Sequence, residues 1–310
     1  MSGWTADEMP AMDGATVVVT GANSGLGFEA TKAFAEAGAT VVMACRSEQR
    51  GEDAATEIRR TVRGGNLEVR VCDLADLDSV ATFAERLRED VDGIDVLCNN
   101  AGVMAIPRQE TADGFEMQLG VNHFGHFALT GHLLPELRAS ESESRVVTQS
   151  SGVHERGEID FADLNWERSY DKWAAYGRSK LANLLFAYEL QRQLDDHEAD
   201  IVSVACHPGY AATDLQFRGP REAGSSVRMG LMKVANRLFG QSAERGALPM
   251  LYAATSDAVT GGEYVGPSGF MRMRGAPEFQ QSNDASQDEG DAAQLWTVSE
   301  ELTGVEYDFG

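Results

Sequence analysis

Tyr176 and Lys180 stand one helical turn apart in a stretch patterned as a helix, so their side chains share a face. A phenol loses its proton near pH ~10, and a neighbouring ammonium favours the phenolate and lowers that value. The pair predicts a tyrosine that passes a proton to or from a substrate oxygen near neutral pH. Lysine occurs only at Lys32, Lys172, Lys180 and Lys233, so the placement is not background. Ser151 ends an apolar run before this helix and can donate its hydroxyl to the same oxygen, while Ser150 faces the other way. Plainer roles compete: a surface Tyr-Lys pair on an amphipathic helix, and serine as a turn or cap. Asn122 lies inside the apolar helical stretch Gly120-Val121-Asn122-His123-Phe124-Gly125. An asparagine there is mildly unfavourable; it either satisfies a core carbonyl or holds an ordered water in a proton path.

A second group of residues is suited to a dinucleotide. Val17-Val18-Val19-Thr20 reads as a buried strand, and Gly21-Ala22-Asn23-Ser24-Gly25-Leu26-Gly27 as a turn into a helix through Phe28, Ala30, Ala33 and Phe34. Such a turn leaves free backbone N–H groups at a positive helix end, which suits a pyrophosphate. Glycine lets the backbone approach that ligand. The spacing is Gly21-x-x-x-Gly25-x-Gly27, so an ordinary tight turn stays open on the glycines alone.

The elements that must position these groups alternate. Further strands are expected at Thr40 to Cys45, Leu67 to Cys72, Ile94 to Cys98, Arg145 to Gln149, Ile201 to Cys206 and Glu263 to Val265. Helices are expected from Ser47 to Val62, after Asp76, from Phe115 to Leu137 with a break near Pro135, and from Ala175 to Leu194. Gln280 to Asp291 reads as a polar surface loop. The alternation predicts a doubly wound parallel α/β sheet of about seven strands, helices on both faces, in a single domain spanning 1–310. The chemistry-bearing residues fall after strand ends, where open α/β sheets bind ligands.

The formal charge is −23, from 49 acidic and 26 basic residues spread along the chain. Such a surface repels nucleic acid. It suits a strongly hydrated protein in a high-salt cytoplasm, or a merely acidic mesophilic one. The first residues are polar and acidic, and no apolar run reaches spanning length, so a soluble, cytoplasmic protein is expected. Cys45, Cys72, Cys98 and Cys206 close apolar runs without a C-x-x-C pair, which predicts buried free thiols. His123 and His126 lie one turn apart, but no carboxylate or cysteine joins them at ligand spacing, so no metal is expected. His154 follows Ser151, yet no G-x-S-x-G elbow surrounds that serine.

Taken in order, the chain resembles a classical-type short-chain dehydrogenase/reductase. The matching pieces are Thr20 to Gly27, Asp73, Asn99-Asn100-Ala101-Gly102, Asn122, Ser151, Tyr176-x-x-x-Lys180, and Pro208-Gly209 followed by Thr213. The resemblance implies that Tyr176 is the proton donor or acceptor and that Ser151 orients the carbonyl or alcohol. It further implies that Lys180 tunes Tyr176 and holds the nicotinamide ribose, and that Asn122 supports a water-linked relay. Asp73 with Leu74 would meet the adenine, Asn99, Ala101 and Gly102 would line the groove, and Pro208, Gly209 and Thr213 would flank the carboxamide. Ser151 lies farther before Tyr176 than in the family's commonest members. The insert between them carries Trp166 and Trp173 and resembles the retinol dehydrogenase and protochlorophyllide reductase-like branch, as do Met43-Ala44-Cys45-Arg46 and Leu295-Trp296.

An acid after the second strand would select NAD through the ribose hydroxyls. Arg46 takes that place with Arg50 nearby, and a guanidinium suits a 2′-phosphate, so NADP is favoured although Glu48 weakens the field. The expected pocket walls are the insert, the loop after Met104, and a substrate lid over 210–240, whose Met, Leu, Phe and Trp content suggests an apolar alcohol or carbonyl. Within the lid, Val227, Leu231, Val234 and Leu238 share a helical face, and Arg228, Lys233 and Arg237 supply charge without acid. A lid packed on its own core, a contact with a membrane surface through 223–240, and a homo-oligomer contact are all candidates. The expected activity is alcohol–carbonyl interconversion. Reduction of an activated C=C bond and a non-catalytic dinucleotide-binding regulator are the alternatives.

Overall fold

The computed structural model describes residues 3–209 and 241–309. Eight strands form one sheet in the order β3-β2-β1-β4-β5-β6-β7-β8. They are β1 (Thr16–Thr20), β2 (Thr40–Cys45), β3 (Asn66–Val71), β4 (Val96–Asn99), β5 (Ser144–Gln149), β6 (Ile201–Cys206), β7 (Tyr264–Pro267) and β8 (Pro277–Gln280). The first seven are parallel, and β8 pairs antiparallel with β7. The seven-strand parallel expectation therefore needs an added edge strand. Pro277-Glu278-Phe279-Gln280 is short, half exposed and opens on proline, which hides it from an apolar-run reading.

The central strands are buried on both faces, as their β-branched runs predict. Val17 and Val19 point to one core with Phe34 of α1 (Gly25–Glu36), Ile58 of α2 (Glu48–Thr61) and Met250 of α7 (Ala243–Thr255). Val18 points the other way, to Phe83 of α3 (Leu77–Arg88), Leu133 of α5 (Gly125–Arg138), Phe186 of α6 (Lys172–Asp196) and Trp296 of α8 (Glu289–Thr303). Ser47, Asp76 and Asp171 cap α2, α3 and α6 with their side chains. Helix α8 starts inside the stretch read as a loop; Asp288 caps it and Glu289 and Asp291 favour its positive end, so its acidity marks a helix start.

The helical stretch through Asn122 also departs from expectation. It does not break at Pro135, which sits inside α5. The irregularity falls earlier, where α4 (Met117–Leu119) opens into a π turn at Gly120–Phe124 before α5. Gly125 N–H reaches back to the Gly120 carbonyl there, five residues away instead of four. The order of strand addition reverses between the parallel neighbours β1 and β4, whose carboxyl ends lie side by side, and that crevice carries the candidate site.

Candidate active site

The groove begins where β1 turns into α1. Gly21 has φ +67° and Gly25 φ +57°, left-handed conformations that favour glycine. At Gly27 the limit is space: a Cβ would stand 2.5 Å from the Gly21 carbonyl oxygen and 2.6 Å from Asn100 Nδ2. Ser24 makes no side-chain cap to α1, so the first N–H groups of that helix are not taken by it. Asn23, Ser24, Gly25 and Leu26 line the groove with Gly21 and Gly27. Arg46 and Arg50 stand at its β2 end, Asp73 and Leu74 at its β3 end, and Ala101 and Gly102 on its β4 side. This cradle, which a Cβ would fill, fits a dinucleotide phosphate.

Asn99 is placed differently from the sequence expectation. It is fully buried under α5 and its amide donates to Thr130 Oγ1 over 2.9 Å, off the groove wall. Its neighbour Asn100 lines the groove instead, and donates to the Thr20 carbonyl over 2.7 Å. Asn99 is the last strand residue, so alternation turns its side chain into the helix layer. Val103, Met117 and Val121 line the far end of the groove and carried no polar signal in the sequence.

Beyond that end, Asn122, Ser151, Tyr176 and Lys180 meet. Gly102 is the junction, since a Cβ there would lie 2.9 Å from Asn122 Oδ1 and 3.7 Å from Lys180 Nζ. Tyr176 is buried on α6, and Ser151 is close enough to act on its hydroxyl. Burial pushes the phenol up to about 12, and Ser151 beside it pulls it back only in part. The expected lowering by Lys180 is therefore not what dominates here. Lys180 Nζ donates to the Gln149 carbonyl over 3.0 Å, and its own burial pushes it down to about 8. Gln149 also accepts from Asn183 Nδ2 over 2.9 Å, making its carbonyl an anchor that the sequence did not signal. Ser150 turns away and donates to the Lys180 carbonyl over 2.8 Å.

Asn122 satisfies a backbone segment. Its Oδ1 accepts from Val103 N–H over 2.8 Å, and its Nδ2 faces the Val103 carbonyl at 3.0 Å and Ser179 Oγ at 2.9 Å. Ser179 donates in turn to the Tyr176 carbonyl over 2.8 Å, so Asn122 touches the helix turn that carries the phenol. Pro208 and Gly209 follow β6 at the same sheet edge, and Gly209 has φ +64°. Thr213, the lid over 210–240 and the basic face at Arg228, Lys233 and Arg237 lie outside the described residues.

The insert splits into two roles. Trp173 is half exposed and meets the Tyr176 ring edge-on at 6.3 Å, bordering the site. Trp166 does not border it; its ring lies under the Arg178 guanidinium at 4.3 Å, where it braces the insert. Tyr170 ties the insert to α4, accepting from Gln118 Nε2 at 2.8 Å and lying 3.0 Å from Glu116 Oε1. His123 and His126 are buried in helix packing, and among the described residues no three His, Cys, Asp or Glu side chains gather as metal ligands. The four cysteines are free and buried. No described helix is long and apolar enough to cross a membrane.

Residues 15–222 match the family described as short chain dehydrogenase. The chain is 39% identical over 309 residues to human retinol dehydrogenase 13, covering 99% of this chain and 89% of that protein. It is 38% identical over 314 residues to human retinol dehydrogenase 14, covering 95% of this chain and 88% of that one. Among solved structures, an uncharacterised protein from Mycobacterium paratuberculosis superposes with a TM-score of 0.81 at 43% identity, over 99% of this chain and 100% of that one. A protein from Beutenbergia cavernae, described as an NAD(P) dependent gluconate 5-dehydrogenase with bound NADP at low occupancy, superposes with a TM-score of 0.62 at 28% identity, over 82% of this chain and 95% of that one.

Proposed function

The chain belongs to the short-chain dehydrogenase family, on its retinol dehydrogenase-like branch, and is an NAD(P)-dependent oxidoreductase acting on CH–OH groups; on that premise we propose that it interconverts an apolar alcohol and its carbonyl with NADP, through Tyr176, Ser151, Lys180 and Asn122. The observation that carries this reading is the convergence of Tyr176, Ser151, Lys180 and Asn122 at the end of the groove, around Gly102. A nicotinamide bound there supplies or accepts the hydride at the substrate carbon.

The chain's own residues handle the oxygen and its proton. In reduction, Ser151 donates a hydrogen bond to the carbonyl oxygen and Tyr176 delivers the phenol proton as negative charge builds there. In oxidation the same pair runs backwards, with Tyr176 Oη taking the alcohol proton. Lys180 would hold the ribose hydroxyls of a bound nicotinamide half and places positive charge near the phenol. Asn122 fixes the Val103 segment that borders both groups.

Arg46 and Arg50 carry the proposed NADP preference. Both are exposed at the β2 end of the groove, where a 2′-phosphate would stand. The NADP bound by the Beutenbergia cavernae protein supports the same choice. Trp173 beside Tyr176, with Met117 and Val121 at the groove end, favours an apolar substrate, and the relatives named for retinol point the same way.

The test follows reduced nicotinamide by absorbance with a panel of apolar aldehydes and ketones. Tyr176→Phe should bind the cofactor unchanged and lose turnover by about 10²-fold or more. Turnover retained in that variant would refute the assignment.

A further inference from the structure

The Asn122 carbonyl is held by a side chain that the mechanism above does not use. His126 Nδ1 lies 3.0 Å from it, and His126 Nε2 lies 2.9 Å from Thr20 Oγ1. The direction of each bond can be worked out. A carbonyl oxygen only accepts, so Nδ1 carries the hydrogen. The ring is fully buried and held neutral, its value pushed down to about 4 by desolvation, with the Lys180 charge acting the same way. Nε2 is then a lone pair, and the Thr20 hydroxyl donates to it. Thr20 Oγ1 in turn accepts from Asn100 N–H and Ala101 N–H, both over 2.9 Å. Hydrogen bonds therefore run one way, from the turn on the groove wall, through Thr20 and His126, to Asn122.

The location gives this chain its consequence. Asn122 sits in the π turn of Gly120–Phe124, a geometry that persists only where its surroundings enforce it. His126 is on the first turn of α5, immediately after the widened turn, and reaches back across it. Resting on the assignment of Asn122 and Lys180 above, we propose that His126 is a positioning residue for the reaction: by donating to the Asn122 carbonyl it fixes the peptide whose side chain holds Val103 and Ser179 beside Tyr176 and Lys180. Thr20 is the tuner of that donor, because its hydroxyl selects the Nδ1–H tautomer. Deleting the ring need not open the groove, since Thr20 keeps its two backbone donors and has the Cys98 carbonyl at 3.2 Å as an alternative acceptor.

Three variants separate positioning from bulk structure. In asparagine the amide nitrogen falls where Nδ1 stands, so His126→Asn keeps the donor to Asn122. In glutamine the amide falls near Nε2, so His126→Gln reaches Thr20 and loses the Asn122 bond. His126→Leu loses both. The expected result is a kcat reduced about tenfold or more in the Leu and Gln variants, with kcat within about threefold of wild type in His126→Asn. The substrate KM and the cofactor Kd, read by reduced-nicotinamide fluorescence, should move less than about threefold in all three. Nitrogen-15 shifts of His126 in the wild type should report the Nδ1–H tautomer.

If Leu proves unfoldable, the Asn and Gln pair still carries the comparison, as both retain a polar amide and both melting temperatures are measured. An Nε2–H tautomer, or Asn and Gln variants with the same kcat, would overturn the inference while leaving the alcohol–carbonyl reading intact. A wild type that turns over no alcohol or carbonyl would sink that reading and this inference with it.

Discussion

The Lys180 ammonium lies 6.0 Å from the centre of the Tyr176 ring and spends its hydrogen bond on the Gln149 carbonyl, not on the phenol. Burial moves the two groups in opposite directions, the phenol up to about 12 and the ammonium down to about 8. Both shifts favour the neutral form of the group, as desolvation must. Tyr176 therefore keeps its proton at neutral pH, the state that the proposed reduction requires. Oxidation needs the phenolate, so its kcat/KM should climb with pH and show no plateau below about pH 8. Carbonyl reduction should stay flat over the same range. Steady-state rates in both directions from pH 6 upward check this; an oxidation optimum on the acid side would contradict it.

Buried imidazoles set the acid limit of stability. Burial holds His123 down at about 3, and His126 and His207 at about 4, against an ordinary value of 6.5. In the unfolded chain each takes up a proton as pH falls below 6.5, while the folded chain does not. The unfolded state binds more protons, so stability rises with pH across that window. Stability is fully present above pH 6.5 and drains away down to about pH 4 for His126 and His207 and about pH 3 for His123. Thermal melts from pH 7.5 to pH 4 measure the slope. His123→Met, which removes one titrating ring, should make it shallower.

At Gly27 a methyl group has nowhere to go, because the nearest atoms are the Gly21 carbonyl and the Asn100 amide that holds the Thr20 carbonyl. Gly27→Ala should destabilise the fold by about 1–3 kcal/mol. It should also raise the cofactor Kd about tenfold or more, as the helix end withdraws from the phosphates. Chemical denaturation and nicotinamide fluorescence check the two effects separately.

Much of this was legible in the residues. The strand–helix alternation gave the sheet and its ligand edge, because central parallel strands are continuous β-branched runs. Strand β8 was not legible, being short and proline-led at an edge where no apolar pattern is required. The π turn escaped because it depends on Ser179 of α6, which only the fold brings to Asn122, and on His126, which the fold sets against Thr20 of β1. Asn99 and Asn100 could not be told apart by type; strand alternation decides which faces the groove. The Tyr176–Lys180 spacing placed both groups on one face, yet it carried no information on burial, and burial is what sets their protonation.

The insert depends on a buried polar joint. Tyr170 Oη lies 3.0 Å from Glu116 Oε1 and 3.1 Å from the Ile106 carbonyl, and Glu116 is fully buried with its carboxyl raised by desolvation. Tyr170→Phe leaves that carboxyl short of a partner, which should lower stability by about 1–3 kcal/mol. Gln118 loses its acceptor too but keeps the Lys172 carbonyl at 2.9 Å, at the first residue of α6. The substrate KM should therefore rise more than kcat falls, since the insert ahead of α6 loosens while α6, with Trp173 and Tyr176, stays in place. Melting temperature and steady-state kinetics of the variant test this ordering.

Arg46 offers the sharpest change of specificity. It is exposed at the end of β2 on the groove wall, with Arg50 one turn along α2 on the same wall. A 2′-phosphate between two guanidiniums gains charge-assisted hydrogen bonds that a 2′-hydroxyl cannot match. Arg46→Glu reverses the sign at that point: the carboxylate repels the phosphate and accepts from the ribose hydroxyls. The ratio of kcat/KM for NADPH to that for NADH should fall by about 10²-fold or more, most of it from a weaker NADPH. Folding should be untouched, since an exposed side chain outside the core carries little stability. Equal losses with both cofactors would mean that Arg46 does not meet the 2′-position, and NADP selectivity would then have to reside in Arg50 or elsewhere on the groove.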